Sequence, residues 1–307
     1  MVTTLQDLMR PPAGMAFDFS QPAGEPALAP RGGVAWRVFA NPVALFVGGV
    51  TAVLLELAEP SVRSGVWDHS SFKKDPGMRL RRTGFVAMMT VYGPRSATEQ
   101  LIARVVRIHG KVAGSTPDGL AYHANDPRLL DWVQATATFG FSAAYHAYVQ
   151  PLSAFEKDRA FAEARPSALL YGATGAPQSV AAWEALLAAT APGLEGSDIL
   201  ADFMRIMGTA PILPAPMRWL QRLLVRAAVD ICPEPVRSLP QLRGKGLRFG
   251  EATLVRTLAR LAGAMPLGDT PPVQAARRLA QRGQSEHPQQ RKGDGPDDNA
   301  AGQQRNR

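Results

Sequence analysis

Apolar residues recur along most of this chain three and four positions apart, the period of a helix with one buried face, and prolines and glycines separate the runs. The most hydrophobic run opens at Asn41-Pro42 and continues through residues 43–58 until Pro60 stops it. It predicts a buried central helix. A bilayer crossing needs roughly 20 apolar residues, and this run is shorter and carries Gly48, Gly49 and Glu56. Two helices follow, one over residues 78–92 ending at Gly93-Pro94, the other from Ser96, an N-cap with Glu99 three residues on, to residue 113. Residues 114–122 read as a turn-rich link. Asp126-Pro127 then starts a helix to about residue 148, and Ser153 with Glu156 makes a capping box for residues 154–164. Past Arg165-Pro166 the pattern predicts helices near 179–189, 197–207, 216–232 and 250–264. No stretch alternates long enough to rival these, so the fold class is all-α.

The periodic pattern fails at both ends. Residues 1–36 are rich in Pro, Ala and Gly and are expected to be flexible, with Met15, Phe17 and Phe19 able to pack as an arm. Residues 266–307 are expected to form a disordered polar tail with at most a short helix around 273–281, so that removal of everything from Gly268 onward would leave stability nearly unchanged. One large helical domain over residues 37–265 remains.

Composition changes this picture little. The chain has 307 residues, 46% hydrophobic and 20% charged, the balance of a globular protein with a sizeable core. The single cysteine, Cys232, excludes a disulfide framework and a cysteine-based metal cage. A net charge of +8 invites nucleic acid, yet the basic residues are dispersed and no helix-turn-helix, zinc-finger or ribonucleoprotein motif accompanies them. The first residues lack a charged segment followed by an apolar core, so a cytoplasmic location is expected. Gly244-Lys245-Gly246 lacks the glycine spacing of a phosphate-binding loop and no strand precedes it.

Polar residues on faces expected to be buried are the informative exceptions. At about 100° per residue, His109 shares a face with Leu101, Ile102, Val105 and Val106, while Arg104, Arg107 and Lys111 lie opposite. On the preceding helix Arg79, Thr83, Val86, Ala87 and Thr90 form one face, with Arg82 at its edge and Phe85 opposite. An arginine and two threonines among apolar neighbours require an internal partner, and a bound polar or anionic ligand is one candidate. From spacing alone, a lone histidine on such a face is more often a hydrogen-bonded core residue than a metal ligand. His69, His123 and His146 are the other candidates, and no His-x-x-x-His or Glu-x-x-His pair is available for a zinc or non-haem iron centre.

Together with Val66-Trp67-Asp68-His69-Ser70-Ser71-Phe72 before it and Tyr122-His123-Ala124-Asn125-Asp126-Pro127 through Asp131-Trp132-Val133 after it, this region resembles the MpaB/latex-clearing-protein (rubber oxygenase) family. The resemblance spans roughly residues 41–161. It implies an all-helical, globin-like domain around a buried haem b, with His109 as the proximal iron ligand. It also implies that Arg79, Arg82 and Thr83 occupy the three positions of the family's distal Arg-x-x-Lys-Thr pattern, with Arg79 and Arg82 touching the cofactor. Arg82 stands where the family has lysine and cannot act as a neutral amine; Gln134 stands where members commonly carry histidine.

The resemblance implies an oxygenase using dioxygen to oxidise or cleave a carbon-carbon double bond of an apolar, isoprenoid-like substrate, with no nucleic acid partner and no transmembrane segment. Two other readings stay open on the residues: a haem-binding sensor or carrier without turnover, and a cofactor-free basic helical interaction protein.

Overall fold

A computed structural model describes residues 14–281 of the chain, apart from 71, 73, 266 and 267. It is all-helical but for one short hairpin. The helices are α1 (Val34–Phe39), α2 (Pro42–Ala58), α3 (Pro60–His69), α4 (Pro76–Tyr92) and α5 (Arg95–His109). The strands β1 (Ala113–Ser115) and β2 (Ala121–His123) pair antiparallel, Gly114 opposite Tyr122. Then come α6 (Pro127–Tyr148), α7 (Ala154–Tyr171), α8 (Val180–Thr190), α9 (Asp198–Thr209), α10 (Arg218–Asp230), α11 (Glu234–Arg237), α12 (Glu251–Ala264) and α13 (Pro271–Ala280).

The central helix forms as its sequence directs. Asn41 Oδ1 accepts the N–H groups of Val43 and Ala44, and Pro42 fills the first helical position, where a missing N–H costs nothing. Being apolar all round, α2 is buried on nearly every side, packing on α6, α10, α12 and α9. Buried polar groups on this core are satisfied across helices: Thr51 donates to Ala228 O at 3.1 Å, Trp132 Nε1 to Leu55 O at 3.3 Å and Tyr148 to Ala227 O at 3.0 Å. No single helix among the described residues is long and apolar enough to cross a membrane.

Two glycines let α2 and α6 cross at backbone contact. A Cβ on Gly48 would sit 2.6 Å from Phe141 Cα, and one on Gly140 would sit 2.5 Å from Gly48 O. Neither neighbour is a movable side-chain tip. Gly140→Ala is therefore expected to lower unfolding free energy by about 2 kcal/mol or more through forced separation of the helices. A denaturant midpoint indistinguishable from wild type would show that the crossing has slack.

Three local expectations are corrected. The helix expected to reach residue 113 ends at His109, because Gly110, Lys111 and Val112 turn back their N–H groups to Val106 O, Ile108 O and His109 O, and the link beyond it is the β1–β2 hairpin. Ser96 is not the cap of α5. Pro94 takes that position, and Glu25 from the N-terminal segment receives the Ser96 N–H at 2.6 Å. The helix expected to stop at residue 164 runs through Pro166 to Tyr171 and ends on Gly172 at φ 93°.

At the ends, Met15, Phe17 and Phe19 pack as the arm that the sequence allows, and more of both ends is ordered than expected. Within residues 14–33, Phe19, Ala27, Leu28 and Ala29 are buried, and Phe17, Phe19 and Phe85 meet edge to face. The short helix expected around residues 273–281 forms as α13, but instead of lying in a disordered tail it packs on α4, and its Arg278 is completely buried. The guanidinium donates to Phe19 O at 2.6 Å, Tyr92 O at 2.7 Å and Glu25 O at 2.8 Å. Arm, α13 and α4 thus form a second core with Met88, Met89 and Ala275.

Candidate functional site

Packing of its rear face decides what α4 presents at the front. Phe85, Met88, Met89 and Tyr92 are buried against the arm and α13, so the opposite stripe, Arg79, Thr83, Val86 and Thr90, turns away from that second core. By backbone α4 lies close to α1, α5 and α13, whereas α2 is enclosed by other helices. Arg79 is nevertheless close enough to Glu56 on α2 and His109 on α5 for its charge to act on both.

Glu56 is the residue that most changes the reading of this region. Its side chain keeps partial solvent access, yet protein surrounds the carboxyl closely enough that desolvation raises its pKa to about 7, against the pull of the Arg79 cation. Arg79 is half-buried; desolvation lowers its pKa and Glu56 opposes the shift, so it stays a cation. Its Nη1 donates to Thr83 Oγ1, and the Thr83 hydroxyl donates to Arg79 O at 2.9 Å. Thr83 is exposed at the rim.

His109 closes the group from the last position of α5. It is half-buried, and its pKa is lowered first by desolvation and then by Arg79, so the imidazole is neutral at neutral pH. Its Nδ1 is buried with no hydrogen-bond partner. The other described histidines differ. His146 Nδ1 accepts the Leu152 N–H at 2.8 Å, which in the neutral ring puts the proton on Nε2 and leaves no lone pair for a metal. His123 Nδ1 likewise accepts from Asn125 at 3.1 Å, on an exposed side chain, and His69 is exposed with its ring edge-on to Tyr122.

Of the residues the sequence singles out, Arg79, Thr83 and His109 come together; Arg82 is exposed at the edge of the α4 face, with no ion pair or hydrogen bond to another described residue. Gln134 lies elsewhere, half-buried beside a 10 Å³ cavity with Phe161 and Arg165, which has room for one water at most. A 580 Å³ surface groove between the arm and α13, lined by Phe17, Asp269 and Arg277, is also separate from the cluster. Glu56 enters the sequence reading only as an interruption of the hydrophobic run and not as a site residue, although a lone carboxylate inside the most hydrophobic helix is itself a signal, since burial demands a partner. Among the described residues no group of three His, Cys, Asp or Glu side chains forms a metal cage, so any metal here would be brought by an organic cofactor or held by few protein ligands.

The donor set here would fit an iron-bearing cofactor with an anionic group. One neutral imidazole with an orphaned nitrogen is the donor an axial position takes, and a desolvated arginine is a partner for an anionic edge. The model of one protein family, described as ER-bound oxygenase mpaB/B'/rubber oxygenase, catalytic domain, matches residues 36–264. No curated protein and no solved structure matches the chain.

Proposed function

The chain belongs to the MpaB/rubber oxygenase catalytic-domain family, and from that premise we propose that it is a haem b-dependent oxygenase that oxidises or cleaves a carbon-carbon double bond of an apolar, isoprenoid-like substrate with dioxygen. The observation that carries the reading is the neutral His109 imidazole, one nitrogen buried and unpartnered, within electrostatic reach of Arg79. His109 holds the iron, and haem, when bound, supplies the electron chemistry that the protein's own side chains lack.

The chain's share is orientation and charge. Arg79, held by Thr83, offers a fixed fork of N–H donors to an anionic group of the cofactor. Val53 on α2 and Val86 on α4, both half-buried, are apolar neighbours of Glu56 and Arg79 along their helices and would suit an alkene chain. Glu56, half ionised near neutrality, can hold or release a proton at its carboxylate oxygen as charge develops on the substrate.

The test is spectroscopic first. Protein made with a haem supply should show a Soret band and release haem into acid-acetone, since no Cys-x-x-Cys-His attachment motif is present; a colourless protein that ignores added haemin sinks the proposal. The pH behaviour follows from Glu56. Its folded pKa lies above the ordinary carboxyl value of 4.5, so the carboxyl is neutral in acid and ionises through about 7. Infrared difference spectra should show a protonated-carboxyl band that titrates there and is absent from Glu56→Gln. If Glu56 acts as the ionised form, alkene-dependent oxygen consumption should rise across the same range and flatten in that variant.

A further inference from the structure

Helix α12 carries its hydrophobic residues the wrong way round. Its buried positions are Val255, Ala259 and Ala262, all small, whereas Leu254, Leu261 and Met265 are 40, 61 and 43% exposed. With Leu258, which is partly buried against the core, they recur at intervals of four, three and four, so Leu254, Leu261 and Met265 form one exposed stripe along the flank of the helix. Scattered exposed leucines are ordinary, but an ordered stripe with small residues on the packed side is an unpartnered face. Immediately before the helix, Phe249 is fully exposed, beside Gly250 in the left-handed region at φ 81°.

The exposed charge around this stripe is mainly basic. Arg243, Lys245 and Arg248 are exposed in the loop that presents Phe249, and Arg260 is exposed on the outer side of α12. None has an ion pair with a described residue. Of the neighbouring acids, Asp230 lies against Gly246, and Glu251 is already taken by Arg226, through both guanidinium nitrogens, and by the Arg248 backbone N–H at 2.8 Å. A second copy of the chain seated on this face by a two-fold axis would bring the basic loops towards each other, which argues against self-association. The chain beyond residue 281 holds no large apolar side chain with which to cover the stripe.

We infer that the Phe249 loop and the outer flank of α12 form a docking surface for an anionic lipid membrane, the aromatic ring and the leucine stripe entering the interface while the arginines and lysine meet the headgroups. Apolar side chains framed by cations are what an interfacial helix requires. Asn41 Nδ2 donates to Ala259 O, which seats α12 at the start of α2; Glu56 lies roughly 22 Å further along that helix at 1.5 Å per residue. The surface and the Glu56–Arg79–His109 group can therefore be changed independently.

The experiment is vesicle flotation of the full-length protein at low and high salt. Vesicles of phosphatidylcholine containing about one third phosphatidylglycerol should carry wild-type protein at low salt, and pure phosphatidylcholine vesicles should carry far less. The doubly exposed variant Phe249→Ser/Leu261→Ser should bind the anionic vesicles about tenfold to a hundredfold more weakly. Arg243→Glu/Lys245→Glu should remove the preference for anionic lipid. Circular dichroism identical to wild type would establish that these surface changes leave the fold intact. No flotation of the wild type, flotation unaffected by the Phe249/Leu261 change, or concentration-dependent dimerisation lost in that variant would each overturn the assignment, the last in favour of a second copy.

Discussion

His109→Ala is expected to yield a protein that folds but fails to retain haem, with the Soret band lost or shifted and affinity for added haemin reduced by at least about a hundredfold. The expectation rests on the contrast among the histidines. His109 alone among those described combines partial burial, an imidazole kept neutral, and a buried nitrogen with no partner. His146→Ala removes only the acceptor of the Leu152 N–H, so it should cost some stability at the end of α6 and leave the spectrum nearly unaltered. Arg79→Ala gives a second readout free of haem: without that cation the His109 pKa should rise towards its ordinary value of 6.5, visible in the imidazole proton resonances of the apoprotein. Arg82→Ala, at an exposed and unpaired position, should affect turnover less than Arg79→Ala. A wild-type spectrum in His109→Ala together with its loss in His146→Ala would move the axial position to the end of α6 and dismantle the proposed site.

The helices were legible in the chain because their signals are local. Asn41-Pro42, Asp126-Pro127 and Ser153 with Glu156 each supply an acceptor for an N–H group that the first helical turn leaves unpaired, and all three caps form as expected. The false cap at Ser96 shows where locality ends. Its N–H is met by Glu25, more than seventy positions away, and no spacing rule anticipates a partner contributed by an irregular arm. The hairpin after α5 was missed because three-residue strands are too short to display alternation.

The candidate site divides along the same line. Arg79, Thr83 and His109 sit on periodic faces, so the angles single them out as polar residues on such faces, while their proposed roles come from the family resemblance. Glu56 lies on a helix that is apolar on every side, where periodicity says nothing about direction. Its meaning appears only once α4 brings a desolvated arginine to it. Arg82 shows the converse: an angular position at the edge of a face does not decide whether a long side chain turns inward or into solvent, and here it is exposed.

The largest stability effect is expected at Arg278, in a stretch whose composition reads as tail. Arg278→Ala should lower unfolding free energy by roughly 3 to 5 kcal/mol, because it removes three charge-assisted hydrogen bonds and strands the buried carbonyls of Phe19, Glu25 and Tyr92. Arg278→Lys should recover little, since an ammonium group lacks the planar fork that reaches three segments at once. Truncation after Asp269, which removes α13 and Ala275 as well, should cost at least as much, opposite to the neutral outcome that the polar composition suggests. For a chain of this size the shift in melting temperature should be about 10 °C. The loss should also be local before it is global. The three carbonyls tie the arm and α13 to the end of α4, so hydrogen exchange in Arg278→Ala should accelerate first in α4 and residues 14–33, with α2 and α6 still protected. Haem retention should weaken in parallel, because the rear packing of α4 is what turns Arg79 towards Glu56 and His109. An unchanged melting curve for the truncated chain would show that the clamp contributes nothing to the fold, and the argument that it orients the site would fall with it.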